Sequence, residues 1–597
     1  MKPYLNQVSG KIDKDVNLFT GGINTYVNRA FIEDNQLSYA MNVGMYEPPK
    51  LSTRPSRLTL AWFFQDKTNY APYSDTRVMN IFTYSENEIF TIVRKDNGDT
   101  FLDKYVKGEN YFEKKSVCTL PTYDNYYMCY CRQATNEYLY IMNENFKGRI
   151  EVNSENLDFK EYNDGIYGIP AFHKGRLFIA DTANNVVAFS ALYDFDNFAL
   201  INNNYIIVEE LPTENIKTDA IYVMAKNETQ YYQYYWWNDT AWKKMNELIE
   251  KDDMKIDYSI IAGDFKVTNG RGKIVALKSF DNKLVIFCEH SMHVLYGDSP
   301  NVEINFFTLV DLNNDIGGLS ERAIAIGSGI LYWLGDDLNI YEYTGAYINI
   351  ISRPSEYVKG GIEGIIHSDW FLNRVYLKNV QFACASGKLY INLPSNPAVS
   401  TENDLLFVYD THNKIWWCED GKFTAISEYQ ATVGTVLLAR VGGDLLLSKD
   451  KMTGEKDYIF NVETQAIEEK MIEYAFETKV YGIDGVSMRK SLTNIWVQAS
   501  AVADVYVGDY WTAVNHWIDY EGFSLEGYLK VGKIIPSLQP RTTEYYESAK
   551  YESQRIIIPK MHVERVNGFS ILIKGEGIGE FYLMEREWRA IWECMKM

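Results

Sequence analysis

Seven times along this chain an apolar β run is followed by a short polar turn and a second β run. The clearest copies are residues 88–106, 137–151 and 176–190; the others are 284–297, 330–345, 405–418 and 444–461. Several copies begin roughly 40–50 residues apart, the period of a four-stranded propeller blade. The pattern predicts an all-β chain whose core is a β-propeller of six to eight blades. A propeller is a rigid disc that serves catalysis, binding or assembly equally well, so the repeat narrows the architecture and leaves function open.

At 597 residues the chain is too long for one ordinary core, and length alone predicts more than one domain. With 46% apolar and 23% charged residues it can bury a sizeable core and reads as an ordinary globular chain. Aromatic content is high: Tyr 46, Phe 29 and Trp 13. Flat apolar rings with a polar tip favour strands and interfaces, which fits an all-β protein and, more sharply, one with large subunit contacts. The net charge of −21 argues against a protein that grips nucleic-acid phosphates. It is compatible with a surface past which DNA slides without sticking. Seven cysteines follow no framework spacing, and Cys129 and Cys131 share one face of an extended strand, so reduced thiols are expected. The N-terminus has no apolar signal core and no run of 18 apolar residues occurs, so neither export nor membrane insertion by this chain is expected.

The pass along the chain divides it into three parts. Residues 1–59 are not blade-like; Glu33-Asp34-Asn35 precedes a short helix expected over residues 36–42, and the prolines at 48, 49 and 55 mark an extended segment. Residues 60–460 carry the propeller, with an insertion at about 202–272. Within the insertion, 231–242 reads as an aromatic hairpin, and Met245, Leu248 and Ile249 have helical spacing. Residues 461–597 contain longer alternating strands at 473–479, 491–500, 555–559 and 570–574, read as a sandwich-like β domain against which the N-terminal segment packs.

No constellation carries catalytic chemistry. His290 and His293 lie in a strand or turn with no third metal ligand nearby, so ordinary packing is expected. The Gly575–Gly579 run lacks the strand–loop–helix context and the Lys-Ser/Thr ending of a phosphate loop, and reads as a β turn. Asp336-Asp337 and Asp194/Asp196 sit in expected turns, where Asp bonds to nearby backbone. The aromatic stripe reads first as packing, then as a subunit contact or ligand platform. No catalytic residue, metal or cofactor is expected.

The N-terminal segment reads Phe19-Thr20-Gly21-Gly22-Ile23-Asn24, then Glu33-Asp34-Asn35-Gln36, Ala40-Met41-Asn42-Val43 and Arg54-Pro55. This order resembles the opening of the tail nozzle and tail hub proteins of short-tailed phages, of the tail tubular protein B and packaged-DNA stabilisation types. Glu33 stands where that family often has Pro, and Ser56 where it often has Gly. Residues 173–198, with Arg176 and Ser190, and segments 274–297 and 406–417 are similar to the same family.

The resemblance implies a structural virion protein of the phage tail, made in the host bacterial cytoplasm. Copies would form a homo-oligomeric ring, a hexamer before a twelvefold ring, that continues the DNA channel below the portal and adaptor, touches other tail proteins and passes double-stranded DNA. Gly21, Gly22, Asn24, Asp34, Asn35, Asn42, Arg54, Pro55, Arg176 and Ser190 would then be structural, with Asn42 and Arg54 tying the N-terminal segment to neighbouring backbone or carboxylates. The rival reading is a carbohydrate-binding or glycan-cleaving receptor-binding propeller; a propeller interaction scaffold comes third.

Overall fold

In the computed structural model, description extends over residues 9–591 apart from short internal stretches. Those of six residues or more are 199–204, 225–232, 245–261, 299–306, 353–361, 363–371, 395–401, 482–488, 510–527 and 536–552. Among the described residues strands make up nearly all the regular structure, and seven four-stranded antiparallel blades close a propeller.

Their innermost strands are Thr76–Ser85, Tyr127–Gln133, Ile169–His173, Ile274–Phe280, Ile324–Gly327, Gln381–Ala385 and Phe423–Tyr429. The last packs against the first and completes the circle. Apolar residues on both faces of each blade explain the closure: Phe178, Leu284 and Ile286 fill one interblade layer, and Phe287, Leu331 and Trp333 another. The repeated units fall where the blades are. Most are the second and third strands of a blade, as in Glu88–Lys95 with Thr100–Lys107; 405–418 instead supplies the third and fourth.

The seventh repeat is built differently. Leu445–Ser448 and Lys456–Asn461 are not partners; Arg57–Thr59, from the other end of the chain, lies between them. The N-terminal strand is therefore the fourth strand of the seventh blade, and the propeller is fastened by pairing residues nearly 400 positions apart.

The third blade carries the insertion. Its third strand, Val186–Phe189, pairs with Gly263–Lys266, so the range 202–272 expected for the insertion includes one blade strand. Between them lies a small separate sheet, in which Tyr205–Val208 runs parallel to Ile221–Met224 and the aromatic hairpin Gln233–Trp237/Trp242–Lys244 pairs Trp237 with Trp242. The helical spacing at residues 245–253 lies outside the described residues.

The C-terminal strands form two facing sheets. One contains Glu473–Thr478, Phe569–Glu576, Ala503–Asp509 and Tyr528–Ile534; the other contains Arg489–Ser500, Glu580–Ile591 and Ser553–Ile557. Phe476 meets Phe581 between them with ring centroids 4.8 Å apart. The Gly575–Gly579 run is the turn that carries the chain from one sheet to the other. The first sheet is continuous with the sixth blade through Leu37–Met41, so propeller and sandwich share a nine-stranded sheet and one core.

Leu37–Met41 corrects the expected helix. The acidic residues before it suggested a helix start, yet all five strand residues are buried. The segment is wedged between Glu473–Thr478, antiparallel, and Ile415–Glu419, parallel, where an extended chain satisfies its backbone on both edges. Asp34 pairs with Lys479 at 2.7 Å instead of capping a helix.

Candidate functional site: the N-terminal clasp

Most of the signature residues sit where the N-terminal segment joins blade six, blade seven and the sandwich. The turn through Gly21-Gly22 is pinned by backbone bonds: Gly21 donates to the Asn35 carbonyl (2.9 Å), Ile23 to Trp416 (2.8 Å) and Asn24 to Leu37 (2.9 Å). Gly22 has φ +65, and a Cβ there would lie 2.8 Å from Ile415 Cβ, so only glycine fits both the conformation and the space. Asn24 Nδ2 donates to Gln36 Oε1 (2.8 Å) and Asn35 Nδ2 to Thr20 Oγ1 (3.4 Å), closing the loop on itself.

At Asn42 the chain leaves the nine-stranded sheet and enters the other, where Val43–Glu47 and Lys50–Thr53 form a hairpin through Pro48-Pro49. The change of sheet needs a left-handed residue, and Asn42 has φ 58, a conformation Asn tolerates better than most residues. Its side chain is engaged at both ends: Nδ2 donates to the Glu473 carbonyl (2.7 Å), and Oδ1 accepts from Asp420 N (2.9 Å) and Arg54 Nε (3.0 Å).

Arg54 is the centre of the clasp. Its guanidinium is buried and donates to both carboxylate oxygens of Asp457 (2.8 and 2.6 Å), to Asp420 Oδ1 (3.0 Å) and to the Pro55 carbonyl (3.1 Å). Three residues on, Arg57 donates to Glu419 Oε2 (2.8 Å) and to the Asp420 carbonyl (2.6 Å), while its backbone N–H meets Asp457 Oδ1 (2.9 Å). Tyr46 OH donates to Glu419 Oε1 (2.5 Å) and accepts from Trp417 Nε1 (2.7 Å). Two arginines thus meet three carboxylates contributed by the sixth and seventh blade sheets. Burial pushes the Asp420 carboxyl up, but Arg54 and Arg57 outweigh it and hold it down to about 2. Asp457 is lowered in the same way, its burial outweighed by Arg54. Burial and then Glu419 push the Tyr46 phenol up, so it stays a donor.

A further buried carboxylate faces the sandwich: Glu477 accepts from Tyr528 OH (3.0 Å), Ser570 Oγ and Arg29 (3.3 Å). Arg176 and Ser190 are remote from all this. They brace the third blade, where Arg176 donates to the Ser190 carbonyl (2.7 Å) and Leu177 N donates to Ser190 Oγ (3.0 Å). The sequence reading missed Arg57, Glu419, Asp420 and Asp457. An Arg-Pro-Ser-Arg stretch and a Glu-Asp pair after two tryptophans are visible, but nothing in one sequence pairs residues some 360 positions apart.

The other sequence candidates have local partners. His290 bonds Asp336 (2.6 Å) and His293 bonds Asp311 (2.9 Å), so the two imidazoles do not converge on one ligand. Ser291 Oγ lies 3.0 Å from His293 Nε2, which gives a Ser–His–Asp order, but Ser291 is fully buried and no substrate carbonyl can reach it. Asp337 binds Asn339 N and Tyr341 OH, and Asp196 holds Tyr140, Tyr162, Arg149 and Lys160. Among the described residues no group of three or more His, Cys, Asp or Glu is placed to hold a metal, and no helix is long and apolar enough to cross a membrane.

No protein-family model and no curated protein matches the chain. Among solved structures it is similar to the AfRom2 CNH domain (9% identity, 63% of this chain and 95% of that one, TM-score 0.30). It is also similar to the Myceliophteria thermophila Cps50 (Swd1) β-propeller domain (7%, 63% and 99%, TM-score 0.31) and to a chain of a mitotic checkpoint complex (7%, 66% and 94%, TM-score 0.32).

Proposed function

We propose that the chain is a structural subunit of a short-tailed phage tail, a hub or nozzle protein whose copies form a ring around the DNA path. The observation that carries this reading is the clasp. The N-terminal residues on which the family resemblance rests, Asn42, Arg54 and Pro55 above all, stand together where they lock a propeller to a sandwich. A body of that kind suits transmission of load between neighbours in a ring, and its residues are spent on bracing rather than on chemistry. The role is non-catalytic and needs no metal or cofactor. The partners are further copies, six before twelve, with the portal or adaptor above and other tail proteins beside it. The protein would be made in the host cytoplasm and incorporated in the virion.

The charge of −21 supports a lumen that does not grip DNA, which carries about one negative charge per 1.7 Å of axis. Negative-stain microscopy of the purified chain, alone and mixed with tail-less virion particles, tests the proposal. The expected result is a ring with an axial channel, formed in solution or on the particle, with more Asp and Glu than Lys and Arg on its wall. A chain that stays monomeric in both settings and binds host glycan saturably would overturn it in favour of a receptor-binding propeller.

A further inference from the structure

The propeller axis holds a cavity of about 180 Å³ bounded by the innermost strands of blades one, two, four, five, six and seven. Its wall mixes apolar side chains, Met79, Phe82 and Ile324 among them, with the polar groups of Asn80 and Gln381, and Arg322 opens into it from the short turn Glu321–Ala323 before blade five. Arg322 bonds Asn80 Oδ1 across the axis and has no carboxylate within ion-pair distance among the described residues. The neighbouring Glu321 is taken by Lys278 from blade four. Lys278, Arg322 and Glu321 therefore leave the cavity wall with one net positive charge.

A guanidinium has five N–H donors in a fixed fork and does not give up its proton, so a desolvated one needs acceptors. Asn80 supplies one, and its own amide is committed to the Tyr126 carbonyl (2.8 Å). Gln381, also on the wall, is already engaged, its Oε1 accepting from Ile426 N (2.9 Å) and its Nε2 donating to the Thr424 carbonyl (2.9 Å). Burial pushes the Arg322 guanidinium down, with Arg77 adding to that effect and Glu321 opposing it, as expected of a cation short of counter-charge.

We propose that this axial cavity binds a small oxyanion, a carboxylate or phosphate, held by the Arg322 fork with Lys278 beside it. Arginine takes either group in a bidentate manner, and a cavity of this size exceeds the roughly 150 Å³ that admits benzene. The site does not depend on the ring reading.

Isothermal titration of the full chain with succinate and, separately, inorganic phosphate tests the proposal. At least one is expected to bind with about 1:1 stoichiometry, and which one binds distinguishes the two sources. Arg322→Gln is expected to weaken binding by at least about tenfold, the loss of one charge-assisted bidentate contact. Ala425→Leu provides a second arm that does not depend on how well Arg322→Gln folds. It narrows the cavity while keeping the guanidinium, and is expected to weaken succinate more than phosphate. Binding of neither anion at 10-fold the concentration of a roughly millimolar site, or binding unchanged in both variants, would overturn the proposal.

Discussion

Replacing Arg54 by methionine isolates the clasp. The variant keeps the aliphatic stem and leaves Asp457 and Asp420 without their main cation, since the Asp457 carboxylate then retains the Arg57 N–H and the Asp420 carboxylate retains the Arg57 guanidinium. Breaking a buried pair from one side costs about 3–5 kcal/mol. The lower end applies here, because Asp420 is one-third exposed and Arg57 remains. A loss of about 3 kcal/mol corresponds to opening roughly 150-fold more often. Hydrogen exchange of the amides in Leu37–Met41 and Lys456–Asn461 reads that opening directly.

The pH dependence fixes the mechanism. In the parent the folded carboxyls lie below their unfolded values, so their stabilisation is complete above about pH 4 and fades as pH falls toward 2. In the variant Arg57 still opposes burial but Arg54 does not, so the two carboxyls rise relative to the parent and the variant loses less stability than the parent as pH falls through their values. The gap between parent and variant must therefore shrink on acidification from pH 7 to about 4.5. An exchange difference below about 0.5 kcal/mol at pH 7, or one that does not shrink at pH 4.5, would refute the assignment of Arg54 as the counter-charge of the clasp.

Further outcomes follow from other contacts. Gly44→Ala places a Cβ 2.5 Å from the Trp417 ring and is expected to destabilise by about 1–3 kcal/mol, read by chemical denaturation. Asn42→Val removes three hydrogen bonds and forces a β-branched residue to positive φ; it is expected to lose more stability than Asn42→Gly, and equal losses would count against the conformational argument. Removing residues 1–59 takes the fourth strand from blade seven and is expected to give aggregated chain, with solubility after expression as the check. The described cysteines are unpaired, and burial pushes the thiols of Cys118 to about 12 and Cys288 to about 11, so a thiol reagent at pH 8 is expected to label neither until the chain unfolds.

The blades were legible because each is local: apolar alternation and a turn such as Asp96-Asn97-Gly98 specify two adjacent strands within some 20 residues. What joins distant parts was not. Residues 444–461 read as one more hairpin, yet Arg57–Thr59 separates its strands, because a three-residue run has no periodicity to betray its partner. Leu37–Met41 read as helix for the same reason: its conformation is dictated by two strands far along the chain. Asn42 and Arg54 were singled out, but the carboxylates they meet could only be found in three dimensions.

The strand that completes blade seven sets a schedule for synthesis. Thr59 leaves the ribosome 385 residues before its hydrogen-bond partner Asp444. At about 5–20 residues per second it waits roughly 20–80 s with its edge unmatched, while six blades are made behind it. A closed disc cannot exist during that interval; the nascent chain is an open arc with two ends that attract strands. The brevity of the waiting strand, three residues, limits what an errant neighbour can grip. Arg57 within it and Arg54 beside it carry charge that is unmatched until Glu419, Asp420 and Asp457 are made, and charge on an open edge disfavours errant pairing, so the charges that lock the finished protein also suit the unfinished one.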